Sequence, residues 1–214
     1  MKKIVIFASG SGTNAENIIK HFVNTDKGIV VFASGSGTNA ENIIKHFKNS
    51  SSGTVVSVFT NNPKAYVIER AKNFQVPTEI FTKQDLIEGK VLQKLNAIQP
   101  DLIVLAGFLL KFPESIVETY SNKIINVHPA LLPKYGGKGM YGMNVHKAIV
   151  ENKEKETGIT IHFVNENYDE GNIIFQKKVT VLITDTPEVV AEKIHELEQQ
   201  YFPSIVEEVL NSKS

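Results

Sequence analysis

The sequence carries one segment twice: residues 7–22 read FASGSGTNAENIIKHF, and residues 32–47 read the same. Each copy follows an apolar run, KIVI before the first and GIVV before the second. Solenoid repeats diverge and need several copies to close a core. A single perfect copy has instead the form of a recent or engineered tandem duplication of one strand–loop–helix unit. The constraint on folding is strong, because a sheet has one position for its first strand and two identical units claim it.

Each unit has clear physics. Ile4–Phe7 and Ile29–Phe32 are short continuous apolar runs of the kind that forms a strand buried on both faces. The glycines that follow tolerate positive φ and let another group approach the backbone closely. Ala15, Ile18, Ile19 and Phe22 then fall at i, i+3, i+4 and i+7, so a helix starts at the loop. A glycine loop opening a helix offers free N–H groups and a positive dipole end to an anion. The spacing Gly10, Gly12, Ala15 (or Gly35, Gly37, Ala40) also fits G-x-G-x-x-A, a dinucleotide fingerprint. A dinucleotide site wants a carboxylate at the end of the second strand. Here that strand, Val55–Phe59, runs into Thr60-Asn61-Asn62-Pro63, so the loop reads as a monophosphate site.

Downstream, strands and helices alternate at short intervals. After a polar turn at Asn49–Gly53 come a strand at Val55–Phe59, a helix from Pro63 to about Phe74, and a short strand at Val76–Phe81. A helix over Asp85–Gln99, a strand at Leu102–Ala106, a helix from Pro113 to Tyr120 and a strand at Ile124–His128 follow. This order predicts an α/β fold: an open, twisted, mostly parallel sheet with helices on both faces, Rossmann-like in character. Gly158–Val164 and Ile173–Val181 read as an antiparallel hairpin at the edge of the C-terminal half. The last helix begins at Asp185-Thr186-Pro187-Glu188, with Pro203 expected to kink or interrupt it.

Ligands of such sheets sit at the carboxyl ends of strands. Two features converge there: the glycine loop, and the segment INVHPALLPKY at Ile125–Tyr135. Asn126 and His128 are two residues apart on a strand, so they project from the same face. Pro129, which has no N–H to donate, ends the pairing. An amide and an imidazole aimed at one point suit a carbonyl that becomes an oxyanion. On these residues alone, a strand end with two satisfied polar groups reads equally well. Residues 134–144, KYGGKGMYGMN, form a lid-like loop or a solvated connection. His146 reads as structural, His162 faces either the site or the sheet surface, and Asp169 lies in the acidic turn Asn165–Asn172.

Composition excludes several classes. With 23 Lys+Arg against 23 Asp+Glu in 214 residues, there is no basic excess for a general nucleic-acid or membrane-surface binder. The absence of cysteine removes disulfides, thiolate metal sites and a cysteine nucleophile. No apolar run approaches membrane-spanning length, and Ser9-Gly10 breaks the N-terminal one, so a cytoplasmic location is expected.

Taken together, S-G-x-G-[ST]-N after the first strand, LAGF at Leu105–Phe108, NVHPALLPKY at Asn126–Tyr135 and HFV…YDEG at His162–Gly171 resemble the phosphoribosylglycinamide formyltransferases, folate-dependent enzymes of purine synthesis. The resemblance covers residues 27–214 almost continuously. It implies the formyltransferase fold and a division into a duplicated extension, 1–26, and a formyltransferase domain, 27–214. It implies transfer of a formyl group from 10-formyltetrahydrofolate to the amine of glycinamide ribonucleotide, with no metal, nucleic acid or membrane involved.

The resemblance also implies site residues. Asn126, His128 and Asp169 would be catalytic, the first two stabilising the tetrahedral oxyanion and Asp169 keeping His128 charged and oriented. Gly37, Thr38 and Asn39, or the equivalent Gly12, Thr13 and Asn14, would hold the substrate phosphate, and Glu198 the ribose hydroxyls. Lys83, Leu109, Leu110, Lys111, Phe112 and Asn126 would meet the folate. Family members often carry a basic residue after the LAGF phenylalanine; Phe108-Leu109-Leu110-Lys111 does not, which shifts the expectation there to backbone contacts. Formyltetrahydrofolate hydrolases and methionyl-tRNA formyltransferases carry an added domain for which this chain has no room. The competing reading is a phosphate-binding protein impaired in catalysis by the duplication. The spare unit, with its apolar strand, invites domain swapping or a homodimer.

Overall fold

The computed structural model describes residues 3–7, 28–32, 35–48 and 50–212. Fifteen elements follow in chain order: β1 (Lys3–Phe7), β2 (Gly28–Phe32), α1 (Thr38–Lys48), β3 (Thr54–Thr60), α2 (Val67–Asn73), β4 (Thr78–Ile80), α3 (Lys83–Ile87), α4 (Lys90–Ile98), β5 (Leu102–Leu105), α5 (Glu114–Thr119), β6 (Ile124–His128), α6 (Met143–Glu151), β7 (Glu156–Phe163), β8 (Ile173–Thr180) and α7 (Pro187–Asn211). The described strands share one sheet. The β3, β4, β5 and β6 pairings are parallel, whereas β7 runs antiparallel to both β6 and β8. The α/β architecture and the edge hairpin are therefore as the sequence predicts.

Between β3 and β5 lies a single strand position, and both copies of the repeat register on it. Ile4 and Ile29 pair with Val55, Phe7 and Phe32 with Phe59, and Val5 and Val30 with Ile103. The first-copy loop residues Gly12, Thr13 and Asn14 lie outside the described residues.

Side-chain alternation along the central strands separates two cores. Leu102, Val104, Ile125 and Val127 pack on one face with Ala40, Ile43 and Ile44 of α1, Val145 and Ile149 of α6, and Val190, Phe202 and Val206 of α7. Ile103, Leu105 and Ile124 point the other way, onto Leu86 of α3, Val91 and Leu95 of α4, and Ile116 of α5. Helices thus cover both faces, and β5, LIVL, is apolar throughout because neither of its faces meets water.

Several boundaries differ from the sequence reading, each for a local reason. The helix expected from Pro63 starts at Val67, because Asn62 first closes a turn, its side chain accepting from the Lys64 N–H. β4 is only Thr78–Ile80, since the Val76 N–H is spent on the Ala71 carbonyl. The helix expected over Asp85–Gln99 divides at Gly89, whose φ of +80° leaves the helical region. Its first part is capped by Thr82 and Asp85 in a reciprocal box.

Pro203 does not interrupt α7. It lacks the N–H that would reach the Gln199 carbonyl one turn back. Asn42 of α1 supplies the missing donor, its Nδ2 bonding the Gln199 carbonyl oxygen. Further along the same seam, His46 and Ser50 both bond Glu207. The contact between α1 and α7 is therefore polar along one edge and apolar beneath.

Candidate active site

The central strands end at one cleft of about 600 Å³. At the end of β6, Val127 turns into the core while Asn126 and His128 face the other way. The antiparallel register sets His162 of β7 opposite Asn126 and Thr160 opposite His128. Thr160 takes a fully buried place and fixes the chain after the strand: its Oγ1 accepts from the Leu132 N–H at 3.0 Å and donates to the Ala130 carbonyl at 2.7 Å. Gln176 Nε2 adds a bond to the Leu132 carbonyl at 3.0 Å.

His128 is 3% exposed. Its Nε2–H donates to the Tyr135 carbonyl oxygen at 2.7 Å, which leaves Nδ1 toward Asp169, 3.6 Å from Oδ2. His162, 2% exposed, donates from Nδ1–H to the Phe163 carbonyl at 2.9 Å. Its Nε2 is then an acceptor, and the Asn126 amide donates to it at 3.1 Å. Asp169 sits between the two rings, its Oδ1 3.6 Å from His162 Nε2, and accepts the Gly137 N–H at 2.8 Å.

The turn that delivers Asp169 depends on glycine. A Cβ on Gly171 would lie 1.7 Å from the Phe163 carbonyl oxygen, and Asp169 itself adopts φ +57°. Small polar residues tolerate this region better than bulky ones.

Burial pushes the His128 imidazole below its ordinary value and outweighs the Asp169 carboxylate and the Tyr135 carbonyl, which favour the cation. The two effects oppose each other: desolvation of a ring closed off from water disfavours the cation, and the carboxylate at 3.6 Å favours it. Burial acts upward on Asp169, but the positive charge that His162 and His128 take up on protonation, with the Gly137 N–H, holds its carboxyl below the usual range. His146, buried in α6 and lining the same cleft, is likewise pushed down by burial, with Glu198 opposing.

The glycine loop of the second copy enters the cleft through Ser36, Gly37, Thr38 and Asn39. Gly37 has φ +66°, and its carbonyl accepts the Glu41 N–H, starting α1. Asn39 is oriented from α7, its Nδ2 donating to Glu198 Oε2 at 2.6 Å. His195 stands 3.6 Å from the same Glu198 oxygen.

The remaining wall is largely apolar: Leu105 through Phe112, Val164, Tyr168, Met140 and Tyr141. Phe108 and Phe112 meet edge to face, and the Lys111 ammonium lies over the Tyr168 ring at 5.6 Å. Leu109, Leu110, Lys111 and Phe112 all line the cleft, as do Asn126, His128, Asp169, Glu198 and the second-copy loop.

Lys83 is the exception. It is exposed at the start of α3 and does not line the cleft. Its placement follows from Thr82 capping α3, which sends the next residue outward along the surface. Conversely, His162 and His146 belong to the cleft. The alternation of Gly158–Val164 leaves the face of His162 open, and the β6–β7 register decides it.

No group of three or more His, Cys, Asp or Glu side chains that could hold a metal ion occurs among the described residues. Within the same residues no helix is long and apolar enough to cross a membrane.

The sequence profile of the formyl transferase family matches residues 27–206. The phosphoribosylglycinamide formyltransferase of Bacillus subtilis is 33% identical over 215 residues, a match covering 98% of this chain and 95% of that protein. The chloroplastic phosphoribosylglycinamide formyltransferase of Arabidopsis thaliana is 37% identical over 157 residues, covering 71% of this chain and 54% of that protein. The chain thus spans about half the length of its chloroplastic relatives, 54% and 49%. Among solved structures, glycinamide ribonucleotide transformylase 1 from Geobacillus kaustophilus superposes with a TM-score of 0.77 at 29% identity, covering 98% of this chain and 99% of that one.

Proposed function

The chain belongs to the formyl transferase family, and on that premise we propose that it transfers a formyl group from 10-formyltetrahydrofolate to the amine of glycinamide ribonucleotide in purine synthesis. The observation that carries this reading is the convergence, in one cleft, of Asn126, His128 and Asp169 with a helix-opening glycine loop and a long apolar wall. That combination suits a phosphorylated substrate and a large, partly aromatic one-carbon donor. The family match from residue 27 supports 27–214 as the catalytic domain and 1–26 as an extension.

The substrate phosphate binds the loop N–H groups of Gly37, Thr38 and Asn39, where a helix N-terminus favours an anion. The Glu198 carboxylate, already held by Asn39, accepts from the ribose hydroxyls. The pterin ring lies against backbone around Leu109–Phe112 and Asn165–Asp169.

The substrate amine attacks the formyl carbon, and the carbonyl oxygen takes up negative charge. Asn126 has two amide hydrogens, one directed to His162 and one free for that oxygen. His128 Nε2–H is directed at the Tyr135 carbonyl, so the formyl oxygen replaces that carbonyl as its acceptor. His128 begins neutral because it is buried. Growing charge on the oxyanion raises its proton affinity, and Asp169 beside Nδ1 stabilises the imidazolium formed. The proton leaving the amine passes through Asp169 and His128, directly or through water, to N10 of the folate. The C–N10 bond breaks as that nitrogen is protonated, and the formyl group remains on the substrate amine.

The test is formyl transfer by the full-length chain with glycinamide ribonucleotide and 10-formyltetrahydrofolate, using His128→Asn as the control. Turnover that disappears in the control while nucleotide binding persists supports the reading. A control that turns over like the parent overturns it.

A further inference from the structure

His146 lines the cleft but has no part in the reaction as derived above. Val145 and Ile149, on the inner face of α6, are both 0% exposed and belong to the core that α6 shares with Val190 and Ile194 of α7. The His146 ring is therefore held firmly in the cleft wall, 6% exposed, in the company of Ile194 and Glu198. Its Nδ1 is shut away without a hydrogen-bond partner among the described residues. Nε2 is the nitrogen left on the cleft side.

A buried imidazole with an unpaired nitrogen is a poor core residue. A leucine of similar size would fill the same space without burying a polar atom unmatched. An unmatched acceptor is tolerated better than an unmatched N–H. The hydrogen of the neutral ring therefore sits on Nε2, and Nδ1 carries the buried lone pair. Burial holds the ring toward that neutral form. His146 thus offers the cleft a single donor, and its natural partner there is an acceptor.

Among the described residues, the groups whose charges act on this ring are Glu198 and His128. On the reading proposed above, Glu198 takes the ribose hydroxyls and His128 takes the formyl oxygen. Between ribose and attacking amine the substrate is –NH–C(=O)–CH2–, and its one strong acceptor is the carbonyl oxygen. We infer that His146 Nε2–H donates to this carbonyl, which makes His146 a substrate-binding residue for the glycinamide arm; the assignment rests on the proposed reaction. A site that holds a buried donor for one group rejects analogues lacking that group. His146 thereby separates an amide-linked amine from other phosphorylated amines. The same bond restrains the carbon next to the CH2–NH2 group and so limits the paths by which the amine approaches the formyl carbon.

Two carbocyclic ribonucleotides read the bond directly: one with the glycinamide arm intact, one with CH2 in place of its carbonyl. Their dissociation constants are measured by calorimetry on the full chain and on two variants, His146→Leu and His146→Gln. The parent should bind the carbonyl compound about tenfold to hundredfold more tightly than the CH2 compound. In His146→Leu this preference should largely disappear, through weaker binding of the carbonyl compound alone. That variant should melt within a few degrees of the parent and keep the parent's affinity for 10-formyltetrahydrofolate. His146→Gln, whose amide nitrogen reaches the place of Nε2, should recover part of the preference.

A His146→Leu variant that keeps the parent's preference overturns the assignment, as does one that loses affinity for both ribonucleotides and the folate alike. Should His146→Leu lose its thermal transition, His146→Gln decides: a preference kept in part upholds the bond, and none overturns it. The proposed reaction is tested separately by the parent. No formyl transfer by the parent overturns that reading and the assignment with it, whereas transfer with an unchanged preference in His146→Leu overturns the assignment alone.

Discussion

The backbone carbonyl of Tyr135 lies 2.7 Å from Nε2 of His128 and accepts a hydrogen bond from its N–H, which fixes the tautomer of a ring that is 3% exposed. The lone pair of the neutral ring is thereby on Nδ1, facing Asp169 at 3.6 Å. One contact therefore decides which nitrogen carries the hydrogen and which waits for a proton.

Activity should carry an acid limb set by His128. Its folded value is below the ordinary imidazole one, so the neutral form that begins the reaction persists below pH ~6.5 and is lost as pH falls further. Asp169 favours the cation, so Asp169→Asn should move the limb to still lower pH while lowering kcat by about 10²–10⁴-fold. A pH profile of kcat/KM for parent and variant checks both. An acid limb that moves upward in Asp169→Asn would contradict the assignment.

Stability should fall on acidification in two windows. His128 and His146 are depressed in the folded protein, so the stability they contribute is full above the unfolded value of about 6.5 and declines as pH falls through their folded values. Asp169 is also depressed, and its contribution is full above about 3.9 and lost as pH falls through its folded value. Denaturant titrations from pH 8 to pH 3 should show the upper window reduced in His146→Gln and the lower one reduced in Asp169→Asn.

Breaking the 2.6 Å bond between Asn39 and Glu198 should act on substrate binding. Asn39→Ala and Glu198→Gln should each raise KM for the ribonucleotide about tenfold to hundredfold and leave KM for the folate near the parent value, as expected for bonds to a charged group. Equal effects on both substrates would argue for a general disturbance of the cleft.

Asn42→Ala should reveal what holds α7 together across Pro203. The Gln199 carbonyl would lose the donor that stands in for the proline's missing N–H, costing about 1 kcal/mol and lowering the melting temperature by about 2–4 °C. Restoring a donor with Pro203→Ala in the same variant should recover much of the loss. No recovery would mean that Asn42 acts elsewhere.

Gly171→Ala should destabilise the protein by about 3 kcal/mol, because the new Cβ meets the Phe163 carbonyl at 1.7 Å and the backbone must move. The same movement displaces Asp169, so activity should fall further than the melting temperature alone accounts for.

The sequence by itself determined the alternation of strands and helices, the carboxyl-end location of the cleft, and the pairing of Asn126 with His128. These are local facts: a run such as Leu102–Leu105 is apolar on both faces, and residues two apart on a strand share a side. Only the tertiary structure decided that His162 joins Asn126, because that depends on the register of β6 against β7. Only it put Lys83 outside the cleft and left α7 unbroken at Pro203, since a helix cap in one case and a donor from a distant helix in the other set the outcome. It also set desolvation against Asp169 in the charge balance of His128, because burial is a property of everything packed around a ring and cannot be read from the residues beside it in the chain.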